Sequence, residues 1–445
     1  MKSSRILRTD AARIWLAALG AVHAGSAVNK FIRRQGCTLY VQGNRYDLRK
    51  YRKIWVLGAG KAAAPMGRAI EKILGGYISG GFLVTKYGHS LPLKKIDITE
   101  AGHPLPDKNS VASATRILDL AKRVAPDDLV LCLLSGGASA LAVAPAEGIS
   151  LAAKLECTRL LLNAGASIYE LNAVRKHLSC FKGGRLARIL APAKTISLIL
   201  SDVVGNDIGT IASGPLAPDS TTYTDCIEIL QRLEILNQMP AAVQKRFALG
   251  AAGHIEETPK KREDIFEGIQ TVIVGSCAQA CTAAAQAARR LGYRTTVLTS
   301  RLEGDNAEAA RFHMSAIKEI VFEDRPLRRP ACIISGGETT VKVKGNGKGG
   351  RNQEFALYCA REMANLPAPC VAVSLGTDGT DGPTDAAGAI ADSSTLVRSM
   401  KFGSGFLDGC LCKNDSYRFF NRLGDLIITG PTWTNVMDLH IFLVG

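Results

Sequence analysis

No stretch of this chain reaches the roughly 18 to 20 consecutive apolar residues of a membrane-spanning helix, so the sequence argues against a membrane-embedded protein. Aromatic residues are only 6% of its 445 positions. No basic stripe is interleaved with them, which argues against a groove that binds nucleic acid by base stacking. The twelve cysteines include no CxxC pair; Cys277/Cys281 and Cys410/Cys412 match neither zinc-ribbon nor thioredoxin-like spacing. They read as reduced, mostly buried thiols, and the expected location is cytoplasmic. The seven histidines show no HExxH or other zinc spacing.

What is present is ordinary for packed globular structure, 47% hydrophobic and 21% charged, at a length that suits two domains. Forty-four glycines exceed the usual share of roughly 7% and cluster at the ends of apolar runs, as backbone-lined ligand loops would. Lys and Arg outnumber Asp and Glu by 55 to 40, a net +15 that suits an anionic ligand. The basic start could be mistaken for a transit or signal segment. Asp10 followed by Ile14, Trp15, Leu16, Leu19 and Val22 fits better an amphipathic helix with Asp10 as its N-cap.

Short apolar runs at 54–58, 81–85, 129–134, 195–200, 271–275, 295–299, 331–335 and 370–376 alternate with segments of helix length. The alternation predicts α/β architecture with a largely parallel sheet in each of two domains. The polar stretch 251–268 places the boundary between 1–255 and 256–445. Ligands of such sheets bind beyond the carboxyl ends of the strands, where the unusual loops of this sequence fall.

In VLGAGKAAAPMG, Gly58 and Gly60 allow close backbone approach and Lys61 opens a helix, an arrangement suited to phosphate. A dinucleotide reading would want an acid at the end of the next strand, where Thr85 and Lys86 stand. The stretch GNGKGGRNQEF, after TTVKVK as an alternating strand, brings Gly349, Gly350, Arg351 and Asn352 to a helix N-terminus, a second anion site. In SDVVGND, Asp202 follows a strand end and can act as a base toward a hydroxyl or position Mg²⁺; an Asx turn is the alternative. Asp378, Asp381 and Asp385 in GTDGTDGPTDAAG lack EF-hand spacing, leaving metal ligation by one of them or turn formation. SGGAS (135–139) is not the GxSxG of esterases, but its turn can bind carboxylate or phosphate. His103 in AGHPLPD reads as a loop hydrogen-bonder, and Arg175 lies in ELNAVRKHLS.

Taken in order, GAGKAAAPM, AGHPLPD, LLSGGASAL, ELNAVRKHLS with KGGRLA, SDVVGND with IASGP, SGGETTV, GRNQEFAL, GTDGTDGPTDAAGA and GDLIITGPTWTNV resemble the glycerate 2-kinase family, whose C-terminal part is a MOFRL domain. The resemblance runs from about residue 10 to the C-terminus. It implies ATP- and Mg²⁺-dependent phosphorylation of D-glycerate at the 2-hydroxyl by a monomer or homodimer. It also implies two α/β domains around a deep cleft, the first Rossmann-like. On the family pattern Lys61, Asp202, Arg351 and Asn435 fall on cleft residues; joined to the reading of the loops, this makes Lys61, Asp202 and Arg351 the expected catalytic residues and Ser135, Gly136, Gly137, Ser139, Arg175 and Asn435 the expected substrate contacts. On the same reading Gly58, Gly60, Gly349, Gly350 and Asn352 hold the nucleotide, and Asp202 and Asp378 hold the metal. The family usually reads Pro-Thr-Gly-Thr-Asn in the last motif, where this chain has Trp433 in place of glycine. Two other readings remain open at this stage: an NAD(P)H-dependent reductase of hydroxypyruvate or tartronate semialdehyde, and a non-catalytic sugar-phosphate sensor.

Overall fold

Every strand expected from the apolar runs is present, from Ile54–Ala59 to Cys370–Gly376. The computed structural model describes residues 2–445 and divides them into two compact units: Val28–Val274, and the residues up to Ala27 together with Gly275–Gly445.

The Val28–Val274 unit is built on a six-stranded sheet in the order Asp97–Ala101, Gly80–Lys86, Ile54–Ala59, Leu129–Ser135, Lys194–Leu200, Ile269–Gly275. Numbered along the chain this is 3-2-1-4-5-6, the order of the doubly wound Rossmann-type sheet. The registered pairings are parallel. Parallel strands buried on both faces need continuous apolar sequence, and LVLCLLS is buried at all seven positions. The crossovers after the fourth and fifth strands also supply the helices Leu151–Asn163, Ile168–His177, Tyr223–Arg232 and Ala241–Ala251. These pack on a core of their own around Leu161, Val174, Tyr223 and Phe247.

The boundary falls at Val274/Gly275 rather than at 255/256. The polar segment before it is tied back: the Gln270 amide donates to Val41 O at 3.1 Å and Lys260 Nζ to Thr221 O at 2.5 Å. Ile269–Gly275 then completes the first sheet.

The other unit takes the N-terminal helix Ser4–Val22, which packs on Cys277–Arg290. Its Arg8 donates to the buried carboxylates of Asp392 at 2.6 Å and Asp425 at 2.5 Å. Asp10 is not the N-cap, because the helix begins at Ser4. Asp10 lies inside the helix, buried, and accepts from Lys2 Nζ at 2.9 Å and the Tyr293 hydroxyl at 2.8 Å. Ile14, Leu19 and Val22 face inward as expected, whereas Leu16 is exposed. Among the described residues no single helix is long and apolar enough to cross a membrane. The bent pair Ser4–Val22 and Ala24–Phe31 passes that test only jointly.

This unit's sheet runs Arg294–Leu302, Ala331–Gly337, Asp438–Val444, Cys370–Gly376, Gly388–Asp392, Leu426–Ile427. It is not largely parallel: only the first pair is, and the four other pairings are antiparallel. Two of these come from the last strand, DLHIFLV, which inserts between two mutually parallel strands and runs against both, and two from Gly388–Asp392, which runs against each of its neighbours. TTVKVK is not a strand either; it contributes one isolated bridge, Thr340 to Asp305.

Candidate active site

In the Val28–Val274 unit the strand order reverses between Ile54–Ala59 and Leu129–Ser135, so the loops following these neighbours meet beyond the sheet's carboxyl edge. They are stitched by backbone: Lys61 N–H donates to Gly136 O at 2.9 Å, and Ala63 N–H to Gly60 O at 3.1 Å. The Ser135 hydroxyl accepts from Ala62 N–H at 3.0 Å. The Ala62 and Ala63 N–H groups at the start of helix Ala63–Leu74 are therefore spent inside the protein, and Pro65 has none to offer. A Cβ on Gly58 would stand 2.2 Å from Leu133 O, and one on Gly60 2.1 Å from Ser135 Oγ. These glycines let two strands and their loops approach each other. Ser135 is fully buried and ties the two loops together.

What the loops present outward is side chain. Gly137 takes φ +83°, and a Cβ there would lie 2.9 Å from the His103 ring and 3.3 Å from Lys61 Cγ. Lys61, His103 and the Gly136–Gly137 turn thus converge on one spot, giving His103 a place at the site that its sequence context did not suggest. Asp202 stands two residues past the end of the neighbouring strand Lys194–Leu200, half-buried at the same edge.

Ser139 leads away from this spot to a group of cations. Its hydroxyl lies 2.9 Å from Ser213 Oγ, which donates to Asn172 Oδ1 at 2.9 Å, and its carbonyl accepts from Lys182 Nζ at 2.7 Å. Asn172 and Arg175 sit on helix Ile168–His177, whose start is set by a reciprocal capping box between Ser167 and Glu170. Lys154 Nζ donates to Arg175 O at 3.2 Å and Leu178 O at 2.8 Å, covering carbonyls at the end of that helix. Burial pulls the Lys154 ammonium down to about 7 and holds Lys182 well below its ordinary value, each helped by neighbouring positive charge. Sequence reasoning missed both lysines. Lys182 was visible in KGGRLA, but nothing in the spacing showed that it would be buried.

The other unit gathers Arg351, Asn352, Asp378 and Asn435 about the Gly376–Asp438 end of its sheet. Arg351 is bidentate on buried Asp438, at 2.5 and 3.1 Å, and also donates to Glu338 at 2.6 Å. Burial pushes the Asp438 carboxyl up to about 7 against the pull of Arg351. The N-terminus of helix Arg351–Met363 is filled by the chain's own carboxylate: Asp381 accepts from Asn352 N–H at 3.0 Å and Gln353 N–H at 2.8 Å. A Cβ on Gly349 would meet Ser416 Oγ at 2.2 Å, and one on Gly350 the Asp381 carboxyl at 2.3 Å. Gly349 and Gly350 thus pack closely on the rest of the chain, and the backbone N–H and side-chain amide of Asn352 are taken by Asp381 and Asp438. Gly345 and Gly347 pack as closely on Lys413. Asp378 accepts from Thr380 N–H at 3.0 Å, an Asx turn. Among the described residues no cluster of three or more His, Cys, Asp or Glu could hold a metal ion.

Asn435 is buried in a loop pinned by Thr434, whose hydroxyl donates to Val22 O at 2.6 Å. Trp433 beside it takes φ +58°. Glycine enters that left-handed region freely, while other residues lose about 1–2 kcal/mol, so the glycine that the resemblance led one to expect here would sit without strain. Trp433→Gly is expected to be more stable than Trp433→Ala by about 1 kcal/mol, since both remove the ring and only glycine relieves the backbone. Urea midpoints of the two variants check this; equal midpoints would mean that the backbone is not strained.

A Cys–His–acid constellation, Cys226 Sγ 3.3 Å from His177 Nδ1 and His177 Nε2 3.0 Å from Glu257, is not a nucleophile. Cys226 and His177 are fully buried, and burial holds the thiol well above its ordinary value.

The Rossmann-type sheet, with lysine, histidine and carboxylate at its switch point, defines an α/β enzyme acting on an anionic small molecule. The family model "Domain of unknown function (DUF4147)" matches residues 10–248, and the MOFRL family model matches 331–438. The chain is 43% identical over 393 residues to D-glycerate 2-kinase of Thermotoga maritima, covering 88% of this chain and 91% of that one. It is 42% identical over 407 residues to glycerate 2-kinase of Pyrococcus horikoshii, covering 91% and 90%. A crystal structure of the Thermotoga maritima glycerate kinase superposes with TM-score 0.86 at 40% identity, over 99% of this chain and 100% of that one. The chain belongs to the glycerate 2-kinase family and is a kinase.

Proposed function

We propose that this protein phosphorylates D-glycerate at its 2-hydroxyl, using ATP with Mg²⁺ and yielding 2-phosphoglycerate and ADP. The observation that carries this reading is the convergence of Lys61, His103 and the Gly136–Gly137 turn at the switch point. Phosphoryl transfer asks a protein for positioning and charge neutralisation rather than a covalent catalyst. Lys61 supplies charge to the transferring phosphoryl group, and Asp202 orients the 2-hydroxyl or accepts its proton. With the Ala62, Ala63, Asn352 and Gln353 N–H groups taken from within, this reading gives side chains the larger share of anion binding. Mg²⁺ commonly takes one or two protein carboxylates and fills its shell with phosphate oxygens and water, so Asp202 alone fits that donor set. When bound, the ion neutralises phosphate charge. Asp378 is the weaker ligand, because one of its oxygens serves a turn.

The reductase reading fares worse at the same edge. Strand Gly80–Lys86 ends in Thr85 and Lys86, and Thr85 is fully buried with its hydroxyl on Lys61 O at 3.4 Å, so no carboxylate ends that strand to receive a ribose. Purified protein mixed with D-glycerate, ATP and Mg²⁺, and coupled to enolase without mutase, should give signal at once, because enolase accepts 2-phosphoglycerate and not the 3-isomer. Silence there, with NADPH oxidised on hydroxypyruvate, would replace the kinase reading with the reductase.

A further inference from the structure

We propose that Arg175 and Lys182, backed by Lys154 and the Ser139–Ser213–Asn172 hydrogen-bond chain, form the subsite that grips the carboxylate of the hydroxy-acid substrate. The proposal rests on the hydroxy-acid kinase reading above, and it assigns Lys182 and Lys154, which no motif had singled out for a side-chain role.

Lys182 Nζ on Ser139 O, the Ser139–Ser213–Asn172 chain and Lys154 Nζ on Arg175 O bring three basic side chains together, and among the described residues no carboxylate pairs with any of them. Lys182 is 1% exposed, and its one hydrogen bond is to Ser139 O, so an ammonium there keeps donors without acceptors. A buried charge without a counter-ion is unfavourable, and a cluster of three is more so. The arrangement becomes favourable when an anion enters. Lys154 is already held by the carbonyls of Arg175 and Leu178, so it backs the subsite electrostatically, while Arg175 and Lys182 have donors to spare.

The backbone around the cluster is held in conformations that side chains usually avoid. Ala212 and Ser213 take φ of +55° and +59°, with Gly214 at +60°. Gly183 and Gly184, also left-handed, donate to Ser213 O at 3.0 Å and Gly214 O at 2.7 Å. Such strain is retained where the fold over-determines it, commonly at ligand clamps. Here it brings the Ser213 hydroxyl between Ser139 and Asn172. Because Ser213 gives its only proton to Asn172, Ser139 donates to Ser213, which fixes the polarity of the chain. Ser139 lies two residues beyond Gly137, whose Cβ position would meet His103 and Lys61, so one short segment joins the subsite to that spot. A carboxylate held here is linked to the switch point by a single loop.

An anionic clamp could instead serve the nucleotide's phosphates, and steady-state kinetics separates the two. Lys182→Met keeps the volume of the buried chain without its charge, and its melting temperature should equal or exceed that of the wild type. In that variant the KM for D-glycerate should rise at least about tenfold, the loss of one charge-assisted hydrogen bond, with kcat and the KM for ATP little changed. Arg175→Met should do the same, and Arg175→Lys should recover part of the loss. Proton uptake on D-glycerate binding, measured by calorimetry in two buffers of different ionisation enthalpy, should be smaller in Lys182→Met than in the wild type. Only Lys154 and Arg175 face Lys182 as charges. A folded Lys182→Met with unchanged KM for glycerate, or with the KM for ATP raised instead, overturns the proposal while leaving the kinase reading in place. If the wild type makes no 2-phosphoglycerate, the kinase reading has failed, and the shift in melting temperature given by D-glycerate decides the subsite. Loss of that shift in Lys182→Met sustains the clamp, and its persistence overturns it.

Discussion

Lys61→Ala is expected to lower kcat by about 10²- to 10³-fold, the usual cost of removing one preorganised charge from a transition state. The backbone geometry makes the experiment clean. The Lys61 N–H is held by Gly136 O at 2.9 Å, and the next residue is tied to Ser135, so alanine keeps the loop in place and removes only the charged stem. KM for D-glycerate should change little, because the ammonium acts on charge that develops at the transferring phosphoryl group. The enolase-coupled assay with saturating ATP measures both constants. A fall of less than threefold in kcat would take Lys61 out of the transition state, and a large rise in KM alone would move it to ground-state binding.

For Arg351→Ala two losses are expected together: turnover by about two orders of magnitude and unfolding free energy by about 3–5 kcal/mol near pH 8. The second follows from Asp438, whose side chain is 1% exposed and which loses a bidentate partner. The stability loss should shrink in acid, and the sign is set by burial, which pushes this carboxyl up to about 7 even with Arg351 present. A carboxyl whose folded-state pKa is raised above the ordinary value near 4 contributes stability that is present in acid and lost as pH climbs between the two values. Without arginine the carboxyl rises further, so at pH 6 it is neutral and the buried charge is gone. Urea unfolding at both pH values tests this; an equal loss at the two would show that Asp438 stays ionised. The double variant Arg351→Ala/Asp438→Asn separates the roles of the arginine. Recovered stability without recovered turnover places Arg351 on the substrate, whereas recovery of both makes it a structural partner of Asp438.

The two helix N-termini carry a lesson about reading glycine loops. GAGK and GNGKGG both have the spacing of phosphate cradles, and spacing is all that a sequence displays. Whether the donors are open depends on what approaches them in space. At Ala63–Leu74 the approach is Ser135 from a strand some seventy residues later. At Arg351–Met363 it is Asp381, from a loop that sequence reading had assigned to metal or turn. The same limit explains the cations: Arg175 was legible as a candidate because it follows ELNAV, but the burial of Lys154 and Lys182 beside it comes from packing between crossovers.

By itself the sequence determined eight of the strands, those that are continuous apolar runs, and placed the ligand loops after them; it missed Asp438–Val444 and read TTVKVK as a strand. It also determined the family, because nine short motifs in fixed order are far more specific than any one of them. Three things were decided only by tertiary structure. The last strand runs antiparallel through the second sheet, because strand direction leaves no mark on composition. The first residues join the C-terminal unit, through Arg8 on Asp392 and Asp425. The Ala62, Asn352 and Gln353 N–H groups at the two glycine loops are taken by Ser135 and Asp381, because a backbone donor is claimed by whatever acceptor the fold brings nearest.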